Sequence, residues 1–207
     1  MKHRFAVIAV ALACFGTAHA QDTSMSFFVT SVNPGQGGNL GGLQGADAYC
    51  DKLASAAGST GKTWKAYLST DSENAKDRIG AGPWYNAKGE KIAEDVASLH
   101  SDKNNLTKQT ALNEKGEVIN GRGDTPNRHD MLTGSKPDGT AAPETCGNWT
   151  MGGTDGAAIV GHSDRTGLDE SAEAKSWNAS HTTRGGCTLE AFKSTGGDGL
   201  FYCFAAN

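Results

Sequence analysis

The sequence predicts a single loop-rich domain of mixed helix and strand content, cross-linked by two disulfides. Three observations carry this prediction. Glycine supplies 28 of the 207 residues, about twice its ordinary share of ~7%. Helix-like and strand-like stretches succeed one another without a linker or an internal repeat. Four cysteines remain once an N-terminal export signal is set aside, an even number that suits an oxidising compartment. With charged residues at 20% and aromatics at 7%, a coiled coil, a polytopic membrane protein and a disordered charge-rich chain are excluded.

The export signal spans residues 1–20. Lys2 and Arg4 open it, Phe5 to Phe15 forms an apolar run too short to span a bilayer, and Ala18-His19-Ala20 has the small-x-small pattern of a cleavage site. The domain then covers 21–207, and its destination is the periplasm or the exterior. Val10 to Ala13 before Cys14 loosely resembles a lipoprotein processing site, with Ala11 where Leu is usual, so lipidation at Cys14 is the alternative. No later stretch approaches the ~18 apolar residues of a membrane span. Without Lys2 and Arg4, the 19 basic residues fall to 17 against 23 acidic ones, a net charge of −6. No basic patch is visible, which argues against nucleic acid and anionic polysaccharides as partners.

Ser26 to Val32 is rich in β-branched and aromatic residues and reads as a strand. Asn33 to Gly42 is a turn-rich loop. Leu43, Ala46, Cys50, Leu53, Ala54 and Ala57 recur at helical spacing and predict a helix over 43–57, with Gly58 as its C′ residue. Asp47 is placed in the first turn, where an anion favours the positive end of the helix. Lys62 to Thr70 alternates Trp64, Ala66 and Leu68 against Thr63, Lys65 and Tyr67, a strand pattern. A short helix is expected over 92–100 and a hairpin around Asn113-Glu114-Lys115-Gly116. Residues 120–167 read as long loops pinned by Cys146 and Trp149. The run 199–205, carrying Cys203, reads as a strand in the middle of a sheet.

Cys50, Cys146, Cys187 and Cys203 allow three pairings, and the residues alone leave the choice open. There is no C-x-x-C redox or zinc motif. Beyond the signal, the histidines are His100, His129, His162 and His181, scattered and without the short ligand spacing of a zinc site. His162-Ser163-Asp164 invites a triad reading, but no G-x-S-x-G elbow accompanies it and catalysis needs convergence in space. The expectation is therefore a polar loop and no enzyme. Arg122-Gly123-Asp124 reads as an exposed turn.

An ordered set of motifs resembles a known family. Gly45-Ala46-Asp47 with Cys50, then Thr63 to Ser69, then Gly134-Ser135-Lys136-Pro137-Asp138-Gly139 with Cys146 and Trp149, then Cys187 and the Cys203 strand, is similar to the endostatin-like subgroup of the C-type-lectin-like fold. The order is collinear over nearly all of 21–207, and bacterial exported lectin-like proteins of unassigned function share the likeness. The resemblance implies an α+β domain with two helices, a twisted antiparallel sheet and a long loop region. It also implies nested disulfides, Cys50–Cys203 and Cys146–Cys187. It does not carry over zinc or heparin binding, because no histidine lies near Gln21 and the chain is acidic.

The same resemblance suggests a ligand site. Trp177-Asn178-Ala179 is similar to the W-N-D segment that supplies calcium and sugar ligands in C-type lectins, but Ala179 replaces the acid. Calcium wants several hard oxygens, so calcium stands as the candidate cofactor of this segment, weakened by Ala179, and none is assigned. The candidate ligand-binding residues are Asp138, Asp164, Asn178 and His181, with Trp149 and Trp177 as ring faces for a sugar. The expected function is glycan binding through loops around 120–167 and 177–186. The alternative is an envelope module that binds protein or serves a structural role without sugar.

Overall fold

The apolar run near the C-terminus forms the strand around which most of the others assemble. A computed structural model describes residues 24–207; the export signal expected over 1–20, with Cys14, lies outside the described residues. The elements in order are β1 (Phe27–Val29), α1 (Gly42–Ala56), β2 (Trp64–Ala66), α2 (Ala75–Arg78), β3 (Trp84–Tyr85), β4 (Lys91–Ala93), α3 (Val96–Leu99), β5 (Asp130–Leu132), α4 (Cys146–Trp149), β6 (Ile159–His162), β7 (His181–Thr182), α5 (Leu189–Thr195) and β8 (Gly197–Ala205). The architecture is mixed α+β. In the main sheet β1 neighbours β8, then come β5, β6 and β7, while β2 also pairs with β8; β3 and β4 form a separate ribbon.

β8 separates two cores because side chains alternate across a strand. Phe201, Cys203 and Ala205 join Phe28, Trp64, Ala66 and the α1 residues Ala46, Cys50 and Ala54 on one face. Leu200, Tyr202 and Phe204 join Phe27, Val29, Tyr67, Trp84 and Trp177 on the other. Both faces are covered, so the run is apolar throughout. The helix ends as its glycine predicts: Gly58 takes φ 85°, and the amides of Gly58 and Ser59 reach back to Ser55 and Ala54 carbonyls, a Schellman closure. The two disulfides are Cys50–Cys203 and Cys146–Cys187, nested as the resemblance implied.

Five expectations are corrected. The described residues hold five helices and not two, three of them single turns of four residues. The sheet is not wholly antiparallel, since β5 runs parallel to β8. The segment expected as one helix over 92–100 is β4 followed by α3, divided at Asp95, whose carboxylate caps the Ser98 amide while the Ser98 hydroxyl returns to the Asp95 amide. The loop region 120–167 contains β5 and β6, three and four residues long and too short to show a period. Asp47 lies beyond the first turn of α1 and serves Lys65, Arg78 and the Ala66 amide instead of the helix end.

At α4 the chain makes a left-handed turn, with Cys146, Gly147, Asn148 and Trp149 all at φ between 48° and 65°. This conformation costs L-residues about 1–2 kcal/mol each. It is held by the Cys146–Cys187 bridge and by the buried Trp149 ring, whose Nε1 donates to the Ser69 carbonyl at 2.7 Å. These are the two residues expected to pin the region.

Burial also pushes the Tyr67 and Tyr202 phenols above their ordinary pKa, and for Tyr67 it outweighs the hydrogen bond with Asn178 that acts the other way. A folded pKa raised above the unfolded value of ~10 gives stability that is complete below that pH and lost as pH rises beyond it. In a native-state absorbance titration, Tyr67 and Tyr202 should ionise only as the chain unfolds. Reversible ionisation of all four tyrosines near pH 10 with unchanged circular dichroism would contradict this.

Candidate functional site

The site forms where β5, β6 and β7 lie side by side. Asp130 opens β5 directly opposite His162, the last residue of β6. His181 opens β7 opposite Val160, two residues before His162. Cross-strand partners share a face and so do residues two apart, so Asp130, His162 and His181 project to one side. His129 precedes β5, and its ring stacks on that of His162 with centroids 4.3 Å apart and planes 6° from parallel.

Each imidazole is oriented through its Nδ1. That of His129 donates to Asp164 Oδ1 at 2.9 Å, and that of His162 to the Ala174 carbonyl at 2.7 Å. His181 Nδ1 lies 3.3 Å from the Thr182 carbonyl. The three Nε2 atoms face the Asp130 carboxylate: His129 at 3.2 Å and His162 at 3.5 Å from Oδ1, and His181 at 3.6 Å from Oδ2. The Asp130 side chain is 3% exposed, yet among the described residues neither of its oxygens nor His162 Nε2 finds a hydrogen-bond partner. Glycine makes room for this carboxylate. A Cβ on Gly196, which has φ 132°, would sit 3.1 Å from Asp130 Oδ2, and one on Gly197 would sit 2.8 Å from the Asp130 carbonyl.

The charges are mutually dependent. Burial, then the charge of His129, pushes His162 below its ordinary pKa. The Asp130 carboxylate raises His181 against burial. Burial raises Asp164, but bonds from His129 and the amides of Arg122 and Thr166 outweigh it and leave the carboxyl low. An ionised Asp164 thus fixes the His129 tautomer.

Above the cluster opens a cavity of about 430 Å³, walled by Arg122, Asn127, Leu168, Ser180, Thr182 and Arg184 among others, with His129, His162 and His181 also in its lining. Its walls come from the two loop stretches singled out in the sequence, from the neighbouring Leu168–Ala174 stretch and, with Thr195, from the end of α5.

Of the residues predicted from sequence, His181 and Asp164 belong to this cluster and the other four do not. Trp149 is fully buried and has no ring face to offer. Trp177 is buried beside Tyr67 and Tyr202. Asn178 donates to the Tyr67 hydroxyl and to the carbonyls of Lys136 and Pro137, and its Oδ1 accepts from Ser176. Asp138 is exposed and accepts from Thr140. Asn178 Oδ1 is thus already engaged and Ala179 supplies no side-chain oxygen, so this segment does not fit a calcium site. A shallower concavity of about 310 Å³ beside Trp177 and Asn178 includes His100 and Arg165.

His162-Ser163-Asp164 makes no relay, because Asp164 serves His129 while His162 turns to Ala174. Sequence reasoning missed His129, Asp130 and His162 as a group. The only local signal was the His129-Asp130 dipeptide; their convergence depends on pairing two strands that carry no periodic pattern. No family model matches the chain, and no curated protein matches it.

Proposed function

We propose that the protein is an exported binding module that takes a carbohydrate, a surface glycan or a fragment of one, in the cavity over the histidine cluster. The cavity carries this reading. Its volume of about 430 Å³ lies in the ~300–1,000 Å³ range of ligand pockets. Asn127, Ser180, Thr182, Arg122 and Arg184 offer it donors and acceptors, the chemistry that sugar hydroxyls require. The two disulfides and the two-faced sheet hold these loops on a rigid base, which lowers the ordering cost of binding.

A glycan array with disulfide-intact protein tests the reading. Binding is expected, and Thr182→Trp, which fills the cavity from the exposed edge strand, should weaken it at least about tenfold with an unchanged melting temperature. Equal binding by Thr182→Trp would place the ligand elsewhere. If no glycan binds the folded protein, an envelope protein partner becomes the better reading, and Leu168, 87% exposed on the cavity wall, supplies an apolar contact for it.

A further inference from the structure

We propose that His129, Asp130, His162 and His181 bind a divalent transition-metal ion of the zinc class at the floor of the cavity. The proposal does not depend on the cavity holding a sugar.

The Asp130 carboxylate is the first argument. It is buried, both oxygens lack a hydrogen-bond donor among the described residues, and isolated charge in such surroundings requires a partner. What faces it is three imidazole nitrogens. The Nδ1 atoms of His129 and His162 lie against acceptors, a carboxylate and a carbonyl, so they carry the protons and the lone pairs stand on Nε2. Lone pairs would then confront carboxylate oxygens unless a positive charge lies between them. Extra protons on His129 and His162 would place charge on two rings stacked at 4.3 Å, and a proton on His181 answers only Asp130 Oδ2. A single divalent ion would answer Asp130 and the Nε2 atoms of His129 and His162 together.

Distances agree. Metal–ligand bonds of ~2.0–2.1 Å in a tetrahedron separate ligand atoms by about 3.3 Å. The three Nε2–carboxylate separations are 3.2, 3.5 and 3.6 Å. The ligand atoms of His129, Asp130 and His162 all lie within 4.8 Å of one another. His181 stands outside that set; it approaches the other Asp130 oxygen at 3.6 Å, is the most exposed of the four at 39%, and must move inward to complete the site. An ion in the plane of both stacked rings requires them to splay, a rotation about χ2, which is a broad torsion for histidine.

Donor type selects the ion. Imidazole nitrogen with one carboxylate suits zinc and its transition-series neighbours, whereas calcium and magnesium take oxygen sets and copper(I) prefers sulfur. The hydrogen bond from His129 to Asp164, and that from His162 to a backbone carbonyl, are the outer contacts that orient metal-binding histidines.

The test uses disulfide-intact protein stripped with chelator and titrated with Zn²⁺ alone by calorimetry, then with Co²⁺ for the visible bands of a tetrahedral centre. One ion per chain is expected, with a rise in melting temperature. Asp130→Asn should lose that binding and the rise, while in chelator its melting temperature should equal or exceed that of the parent. Asp164→Asn should weaken binding about 10–100-fold, the usual effect of removing an outer contact. His100→Gln, remote from the cluster, should bind as the parent does. If Asp130→Asn does not fold, His181→Gln on the half-exposed edge strand carries the same test. Absence of binding by the folded parent, or undiminished binding by Asp130→Asn or His181→Gln, overturns the proposal. A metal bound without any glycan leaves it standing, and a glycan bound without metal overturns it while sparing the cavity reading.

Discussion

Replacing Cys50 and Cys203 together by alanine should lower the unfolding free energy by about 5 kcal/mol in the chain-entropy account of cross-links. The bridge joins residues 153 apart, so its loss frees nearly the whole described chain in the unfolded state. Cys146–Cys187 spans only 41, and the same account gives its removal about 4 kcal/mol. The first loss has a local component too, because Cys50 and Cys203 clamp α1 onto the central strand inside one core. Urea unfolding followed by tryptophan fluorescence measures both. A loss under about 1 kcal/mol for the Cys50/Cys203 pair would mean that α1 packing alone fixes the helix on the sheet and that the cross-link hardly restricts the unfolded chain.

Asp47→Ala should cost about 3–5 kcal/mol, the usual penalty for removing one partner of a buried ion pair. Arg78 is the reason. Its side chain is 4% exposed and held by Asp47 at 2.6 Å and by Glu73 at 2.8 Å, but Glu73 is 48% exposed, where solvent screens the pair. Asp47 also pairs with Lys65 and accepts the Ala66 amide. It thus ties α1 to β2 and α2 through one carboxylate. Removing both charges in Asp47→Ala/Arg78→Met should recover a large part of the loss, since a buried pair replaced by apolar groups is often close to neutral. Thermal melts of the single and double variants decide it; a double variant as unstable as Asp47→Ala would show that the hydrogen bond to the Ala66 amide carries the effect.

The parts of the fold legible in the sequence were those whose cause is local. The helical stripe ending at Gly58 is one, because spacing and a left-handed glycine act within a few residues. The run over 199–205 is another, since a strand apolar on both faces belongs inside a sheet. Asp95 shows the opposite case. The 92–100 segment carries an apolar spacing compatible with a helix, but pairing of β4 with β3 takes Lys91–Ala93 and leaves only one capped turn.

The candidate site was legible only in pieces. Asp164 and His181 stood out only as polar candidates for a ligand site, whereas Trp149 and Asn178 have their polar groups consumed inside the structure by Ser69, Tyr67 and the 136–137 turn.

By itself the sequence determined a disulfide-tied, glycine-rich domain, its principal helix and its central strand, because cysteine number, glycine and hydrophobic period are properties of neighbouring residues. Only the tertiary structure decided that His129, Asp130, His162 and His181 meet. They sit at or beside the ends of three strands of two to four residues, and short strands carry too few positions to encode their own register. That register, Asp130 opposite His162 and Val160 opposite His181, is set strand by strand across the sheet, outward from β5, which is paired to the long strand β8.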